Sequence, residues 1–429
     1  MSDASTTSTS PSSAAPVNPW SLLKGGPFAR YMAGETISML GTWMQMMAQG
    51  WVVAGLTTSA FTLGLMNFAS GLPMLVLTTW GGVLADRHDK RRILLATQIV
   101  QIAIAVWIGW LVARGTVTVW HIIAAGVCLG TSAAFEMPAA SALVPELVAR
   151  PQLRSAIAVD RSIFHATRLA GPALGGWLIG RMGTSSAFYA NALSFVAMII
   201  ALVTLPPRVP GSAEEEAQRQ TGMRDGWNYV RGDAPTRTML LMLASATVCI
   251  SPFFMIMMPL YSRHILQIPA AEHGILMGSS GLGAFSGSLW LLRITAEHRN
   301  AYLRGAVVGI VVSMLALSLA RNLGEAVVAM VILTIGTSTV FGLANTIVQE
   351  RAPDAIRGRV SALAGLSFFG VLPFSGLVMT KFADFIGLRV AMGAAALLFG
   401  ALAATFLYRH HCACARQAVP EESAVSTAA

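Results

Sequence analysis

The 429-residue chain is 55% hydrophobic and only 11% charged, with a mean hydropathy of +0.63, whereas a soluble protein is about one-quarter charged. That composition excludes an ordinary globular enzyme and a disordered chain. A net charge of +9 would favour nucleic acid only if the basic residues clustered on a solvated domain. Here they lie in short loops between apolar runs, and four cysteines give no disulfide framework. The sequence reads as a polytopic membrane protein.

Residues 1–27 are rich in Ser, Thr, Ala and Pro. They lack a basic segment followed by an apolar core, so a disordered tail is expected rather than a signal peptide. Twelve apolar runs follow, each near the roughly 20 residues that a helix needs to cross a bilayer. They lie at about 31–55, 61–84, 93–113, 118–142, 156–180, 186–205, 238–262, 273–293, 303–320, 325–347, 360–382 and 388–408. The runs are continuous, whereas a membrane β-barrel alternates every second residue. The expected fold is all-α: twelve transmembrane helices in two six-helix halves, 28–205 and 237–409, joined by a linker over 206–236. Residues 410–429 form a second tail. A weak repeat supports the halving, since VPELVARPQLRSA before the fifth run matches VQERAPDAIRGRVSA before the eleventh in place and character. Within the linker, RDGWNYVRGDAPTR either lies on the inner leaflet as an amphipathic helix, with Trp227 and Tyr229 at headgroup level, or is a solvated connection.

Orientation follows the basic residues. With the N-terminus inside, most of the 29 Lys and Arg fall in inner segments, from Lys24 and Arg30 to Arg409 and Arg416. Six fall outside: Arg114, Arg181, Arg263, Arg321, Lys381 and Arg389. Both termini are therefore expected in the cytoplasm of a bacterial cell, with the chain in the inner membrane.

Polar residues within spans are costly and mark cavities or partner helices. Glu35, Ser38, Thr42, Gln45 and Gln49 recur on one face of the first span. In the tenth, Thr334, Ser338, Phe341, Asn345 and Gln349 do the same. The stripes line either a substrate cavity, the preferred reading, or an interhelical hydrogen-bond network. The fifth span carries Arg161, His165 and Arg168 on one face, continued by Gly171 and Gly175, with Gly176 and Gly180 as a second small-residue pair. The eighth pairs Gly274 with Gly278 and Gly283 with Gly287. Small residues four apart let helices approach closely, so these two spans are expected to touch, either as a sliding contact or as static packing. Candidate proton-coupling groups are Glu35, Glu136, Asp160 and His165, with Glu35 preferred because it belongs to the best-defined stripe. A carboxylate removed from water holds its proton to higher pH, and histidine titrates near about 6.5 unperturbed. The opposing reading is static pairing of these acids with Arg161 or Arg168. Phe253, Phe254, Met255, Met257 and Met258 crowd the seventh span, where they suit a soft wall for apolar cargo but read better, taken alone, as lipid-facing packing. HHCAC at 410–414 has soft-metal ligand types but is too short to define a site, so no metal is expected.

At 81–94 the sequence GGVLADRHDKRRIL follows the second span and resembles the signature loop of the major facilitator superfamily. Gly82, Asp86, Arg87, Lys90 and Arg91 match in place, and Asp89 stands where the second glycine is usual. RLAGPALGG at 168–176 resembles the superfamily's antiporter motif through Gly171, Pro172, Gly175 and Gly176, with Thr167 in place of a glycine. ISMLGTWMQ, PAASALVPELV, RDGWNYVR, HGILMGSSGLGAFSG and RGRVSAL are similar to stretches of its twelve-span drug and siderophore exporters, which include the enterobactin exporter and macrolide efflux proteins. The resemblance covers about 28–408. It implies export by proton antiport with alternating access, a cavity lined by the first and tenth spans, and a conformational latch in which Asp86 meets Arg357, Arg359 or the start of the eleventh helix.

The expected function is thus proton-driven export of a medium-sized organic molecule, a siderophore or a drug, by a monomer without cofactor. Arg161, His165 and Arg168 tilt the cargo towards an anion. An uptake symporter of the same fold is the alternative, opposed by the antiporter motif. A membrane enzyme or receptor would need chemistry that is not displayed, for the chain has no HExxH and no GxSxG, and the lack of GxxxxGK[ST] excludes an ATP-driven pump.

Overall fold

In the computed structural model the described residues are 19–206, 224–353 and 355–418. Residues 1–18 of the N-terminal tail, 207–223 of the linker and the side chains of Cys412 and Cys414 lie outside them. The described chain is helical throughout, without strands. Six long helices come first: α1 (Pro27–Leu56), α2 (Ala60–Arg87), α3 (Lys90–Ala113), α4 (Val119–Leu143), α5 (Leu153–Met182) and α6 (Ser185–Val203). After the linker come the short α7 (Arg224–Gly232), then α8 (Ala234–Cys249), α9 (Ala270–Leu291), α10 (Arg299–Leu319), α11 (Leu323–Arg351), α12 (Arg357–Gly365), α13 (Leu372–Ile386) and α14 (Leu388–Ala418).

Eight of these segments are long and apolar enough to cross a membrane: α2, α3, α4, α6, α10, α11, α12 continued into α13, and α14. The chain is a multi-pass membrane protein. The long helices that miss that test are informative. α1 carries the polar stripe, α5 carries Arg161, His165 and Arg168, and α9 is rich in Gly and Ser. The residues that lower their hydropathy are the residues singled out as functional.

The seventh run, expected as one span over 238–262, is broken. Prolines 252 and 259 remove amide donors, and α8 gives way to short turns at Ser251–Met255, Met258–Leu260 and Tyr261–Ile265. The last is widened, with the Leu266 amide donating five residues back to the Tyr261 carbonyl at 3.0 Å. Phe253, Phe254, Met257 and Met258 are buried, so they belong to the core rather than to a lipid-facing surface. The eleventh run widens in the same way over Leu366–Gly370, just before Pro373.

Connections are short because their chemistry allows sharp reversal. Asp89 caps α3 by accepting the Arg91 amide at 3.0 Å, which turns α2 into α3 within two residues. Gly183 and Gly387 take φ of 83° and 86°, a region costly for any side chain. The consecutive helices therefore run up and down between two ends. One end, here the terminal end, carries the first and last described residues and the α2–α3 turn. The other, the far end, carries the α1–α2, α5–α6 and α13–α14 turns.

Within residues 27–203, α1 packs on α5 and α6, α2 on α4, and α3 on α4 and α6. Within 234–418, α9 packs on α11, α10 on α11 and α14, and α8 on α11 and α14. Two seams join the groups, α5 with α9 and α2 with α13. Glycine permits both. Ala at Gly64 would collide with Thr380, and Ala at Gly71 with Pro373.

Candidate transport site

Three carboxylates converge towards the terminal end, from three helices. Glu35 of α1 receives a hydrogen bond from the Tyr31 hydroxyl one turn earlier and lies within electrostatic range of Glu136 and Asp160. Tyr31 is buried. Glu136 of α4 is held from α3: Gln98 Nε2 donates to Oε1 at 2.7 Å and Gln101 Nε2 to Oε2 at 2.6 Å. Gln101 also donates to Ser132 Oγ at 3.3 Å. Asp160 of α5 neighbours Arg161. A glutamine amide both donates and accepts, so Gln98, whose own oxygen has no donor, can turn to receive the proton of a neutral Glu136. The clamp therefore suits both protonation states, which a fixed cation does not. The sequence held a signal for it, since Thr97, Gln98 and Gln101 share a face of an otherwise apolar run. It was missed, as was Tyr31.

Arg168 lies two turns further along α5, about 12 Å from Asp160 at 1.5 Å per residue. Its guanidinium sits 5.9 Å from the Trp43 ring centre, and among the described residues no carboxylate pairs with it. A chain of rings continues from there: Trp43 to Phe164 at 5.8 Å, Phe164 to His165 at 5.6 Å, and His165 to Phe285 of α9 at 6.5 Å. The combination is an aromatic wall with one cation set in it.

The two stripes divide between exposure and packing. Thr42 and Asn345 are exposed, whereas Ser38, Gln45 and Thr334 are buried. Gln45 accepts from Asn191 Nδ2 of α6 at 2.8 Å, and Gln49 Nε2 reaches Met66 Sδ of α2 at 3.9 Å. Thr334 bonds the Met330 carbonyl and faces Gly283, while Ser338 faces Gly287. Phe341 meets Phe368 edge-on at 5.3 Å. The Gln349 carbonyl accepts from Arg357 Nε at 3.0 Å.

The glycines of α5 look two ways. Gly171 and Gly175 pack on Trp43, Leu40 and Met44 of α1. Gly176 meets Ala270 and Gly274 of α9, and the Pro172 carbonyl meets Gly274. Further along, Leu169 packs on Gly278 and Gly281. The α5–α9 contact thus uses backbone against backbone over Gly176–Leu169, then passes to the His165–Phe285 ring pair towards the terminal end.

Basic residues of the α2–α3 turn bind locally. Lys90 pairs with Glu146 at 2.9 Å, and Arg91 donates to the Leu205 and Val203 carbonyls at 2.7 and 2.6 Å. A Cβ at Gly82 would meet nothing within 4 Å. In the second group Arg359 pairs with Asp225 at 2.6 Å. Arg351 grips Asp233 with two hydrogen bonds of 2.9 and 2.7 Å, and Tyr229 donates to the Arg351 carbonyl at 2.7 Å. Trp227 of α7 is exposed, with Arg231 over its ring at 5.2 Å. Tyr229 is turned towards α11.

Residues 17–424 match the family model described as transmembrane secretion effector, of the major facilitator type. The chain belongs to this family. It is a membrane transporter and not an enzyme. Relatives sit on both sides of the drug and siderophore division. The multidrug efflux pump Tap of Mycolicibacterium fortuitum is 23% identical over 89% of this chain and 95% of its own. The staphyloferrin A transporter of Staphylococcus aureus is 21% identical over 83% and 90%. An uncharacterized transporter of this type from Bacillus subtilis, YfiS, is 27% identical, and that match spans about half of either chain, 52% of each. Among solved structures, a bacterial homologue of the human lysosomal transporter Spinster, inward-facing and occupied, superposes with a TM-score of 0.70 at 16% identity, over 93% of this chain and 98% of that one. The fold is that of the superfamily.

Proposed function

We propose that the transporter spans the bacterial cytoplasmic membrane twelve times, in two six-helix halves with both termini inside. It exports an anionic organic molecule by proton antiport with alternating access. The packing of α1–α6 among themselves, and of α8–α14 among themselves, supports the halving. The bias of Lys and Arg towards the terminal end supports the orientation. With that orientation the far end is the outer face, and the seams are closest there.

The observation that carries the reading is the division along α5. An acid cluster of Glu35, Glu136 and Asp160 lies near the inner mouth, and Arg168, without a carboxylate partner among the described residues, lies two turns deeper in an aromatic wall. Separate sites for a proton and for an anion are compatible with antiport, provided that the two binding events are linked. Binding of a proton at one site must be able to change the state of the other without the two ligands pairing with each other. Glu35 is the coupling group, supported by Tyr31 and flanked by two acids. Arg168 binds the cargo's anionic group, and Thr42 and Asn345 offer it hydrogen bonds. Asp86, with Arg357 or Arg359, latches the inner face when the carrier turns outward. A carboxylate-bearing siderophore satisfies Arg168 better than a cationic drug.

Untargeted mass spectrometry of medium and cells, from wild-type and deletion strains with and without iron, tests this. An acidic chelator lost from the deletion medium and retained in its cells is the expected result. Unchanged profiles under both iron conditions would remove the siderophore reading and leave neutral or cationic drugs.

A further inference from the structure

We propose that Asp384 of α13 is a gating residue of the transport cycle, holding the far end shut by capping α2 from the other half of the molecule. This rests on the alternating-access reading above, and it names the group that fixes one of its two states.

The first turn of a helix has amide donors with no partner inside the helix. A serine at the cap position ordinarily supplies its own hydroxyl oxygen to them. Ser59 stands at that position of α2 and makes no such bond. Its hydroxyl instead donates to Asp384 Oδ2 at 2.5 Å. The Ala60 amide donates to Oδ1 at 2.5 Å and the Phe61 amide to Oδ2 at 3.1 Å. One carboxylate, more than 300 residues away in the chain, thus takes the place of the missing cap. It adds a full negative charge to the positive end of a 28-residue helix.

The neighbouring contacts cross the same junction. Lys381, one turn before Asp384, sits 5.3 Å over the ring of Phe61. Phe68 meets Phe374 edge-on at 5.4 Å. Beside them, His264 Nε2 donates to the Ala54 carbonyl at 2.8 Å and Arg263 to the Trp51 carbonyl at 3.4 Å. These four contacts and the Asp384 cap all join the α1–α2 region to the C-terminal group. They must break together if the far end opens. Of these, only the Asp384 carboxylate satisfies backbone donors that otherwise have no partner within the helix, so its release leaves α2 uncapped until water enters. That makes it a latch with a defined open state: α2 capped by solvent and Ser59.

The test measures distance in the full-length protein in nanodiscs, without cargo or gradient. Cys128, Cys249, Cys412 and Cys414 are replaced by Ser. Spin labels at Thr116→Cys and Arg321→Cys, in exposed far-end loops, report the far end. Labels at Arg154→Cys and Arg293→Cys report the terminal end. Asp384→Ala is expected to move the two-state ratio towards the far-end-open form by about tenfold, the size of a lost cap. Asp384→Asn, which keeps one acceptor, should move it less, and Ser59→Ala, which removes the hydroxyl contact alone, should move it least and in the same direction. Distance distributions identical to wild type in Asp384→Ala would overturn the latch. If that variant does not reconstitute, unchanged distributions in both Asp384→Asn and Ser59→Ala overturn it equally. Because no cargo is present, a null result in the metabolite comparison leaves this outcome intact, and the reverse holds too.

Discussion

Replacing Gly176 with Ala should bias the transporter against its far-end-closed form, and the size of the effect follows from the seam. A Cβ at Gly176 would stand 2.6 Å from the Ala270 carbonyl oxygen, 2.9 Å from Gly274 Cα and 3.1 Å from the Ala271 carbonyl oxygen, where ordinary contact begins at 3.4 Å. The worst of these needs 3.4 − 2.6 = 0.8 Å of relief. All three obstacles are backbone, so no side chain can rotate away and α5 must leave α9. Overpacking of this kind costs about 1–3 kcal/mol. Because α5 and α9 belong to different groups, the cost falls on the closed state alone, and about 2 kcal/mol is roughly a 30-fold change in the two-state ratio. Gly180 provides the control. Its Cβ would meet only the Ala271 side chain at 3.6 Å, so Gly180→Ala should leave the ratio unchanged. Gly175→Ala presses on Met44 of α1, a partner within the same group, and should lower overall stability without moving the ratio. Single-molecule energy transfer between far-end and terminal-end dye pairs reads the populations directly. Equal ratios for Gly176→Ala and Gly180→Ala would refute the claim that this seam opens during the cycle.

Glu35→Gln should abolish pH-driven flux while leaving cargo binding and expression intact, and normal flux in everted vesicles would remove Glu35 from coupling. Asp86→Asn should shift the population towards the far-end-closed, inward-open form, and inter-helix distances equal to wild type would end the latch assigned to the α2–α3 turn. Gln101→Leu leaves the Glu136 carboxyl short of a donor and should lower thermal stability by about 1–3 kcal/mol, whereas a melting curve equal to wild type would mean that the clamp is not made. At Asp233, burial pushes the carboxyl up, but its hydrogen bonds from Arg351 and Thr236 outweigh this and hold it well below the usual carboxylate range. A folded-state value below the unfolded one stabilises the protein fully above about pH 4, and the gain is lost as pH falls below that. The melting difference between wild type and Asp233→Asn should therefore be constant at neutral pH and shrink in acid, and a pH-independent difference would contradict the assignment.

The helical class, most helix boundaries and the family were legible because hydropathy and motif order are local properties of the chain. The contacts between groups were not, and particular residues show why. Gly171 and Gly176 are both small and five apart, yet one faces α1 and the other α9, and only the packed arrangement of three helices separates them. The α1 stripe has a perfect helical period, but Gln45 is committed to Asn191 of α6, a residue with no periodic link to it. Gln98 and Gln101 were visible as polar intrusions, but their importance depends on Glu136 arriving opposite them from another helix. Asp384 gave no signal at all. An acidic residue near the end of a span is ordinary, and its role appears only because Ser59 leaves α2 uncapped.

The same arrangement constrains how a proton could drive the cycle. The acid cluster and the far-end contacts are at opposite ends of the molecule, yet α1 belongs to both. Glu35 near one end and Trp51 and Ala54 near the other are separated by 16 to 19 residues of one unbroken helix, about 24–29 Å at 1.5 Å per residue. Between them α1 is fastened to α6, through Gly34 against Ala201 and Gly41 against Ser194 and Asn191, and to α5 through Gly171 and Gly175. A helix so held moves with its own group and cannot absorb a change at Glu35 locally. On the antiport reading, protonation acts on Glu35, Glu136 and Asp160, which lie on α1, α4 and α5 of the same group near the terminal end. Any rotation that follows is carried along α1 to the Trp51 and Ala54 carbonyls, where Arg263 and His264 are bound. On the proposed antiport reading, coupling needs no chain of side chains from end to end. It needs α1 to be stiff, and a helix-breaking Pro at Met46, between the two clusters, should uncouple proton binding from far-end opening while leaving each site able to bind.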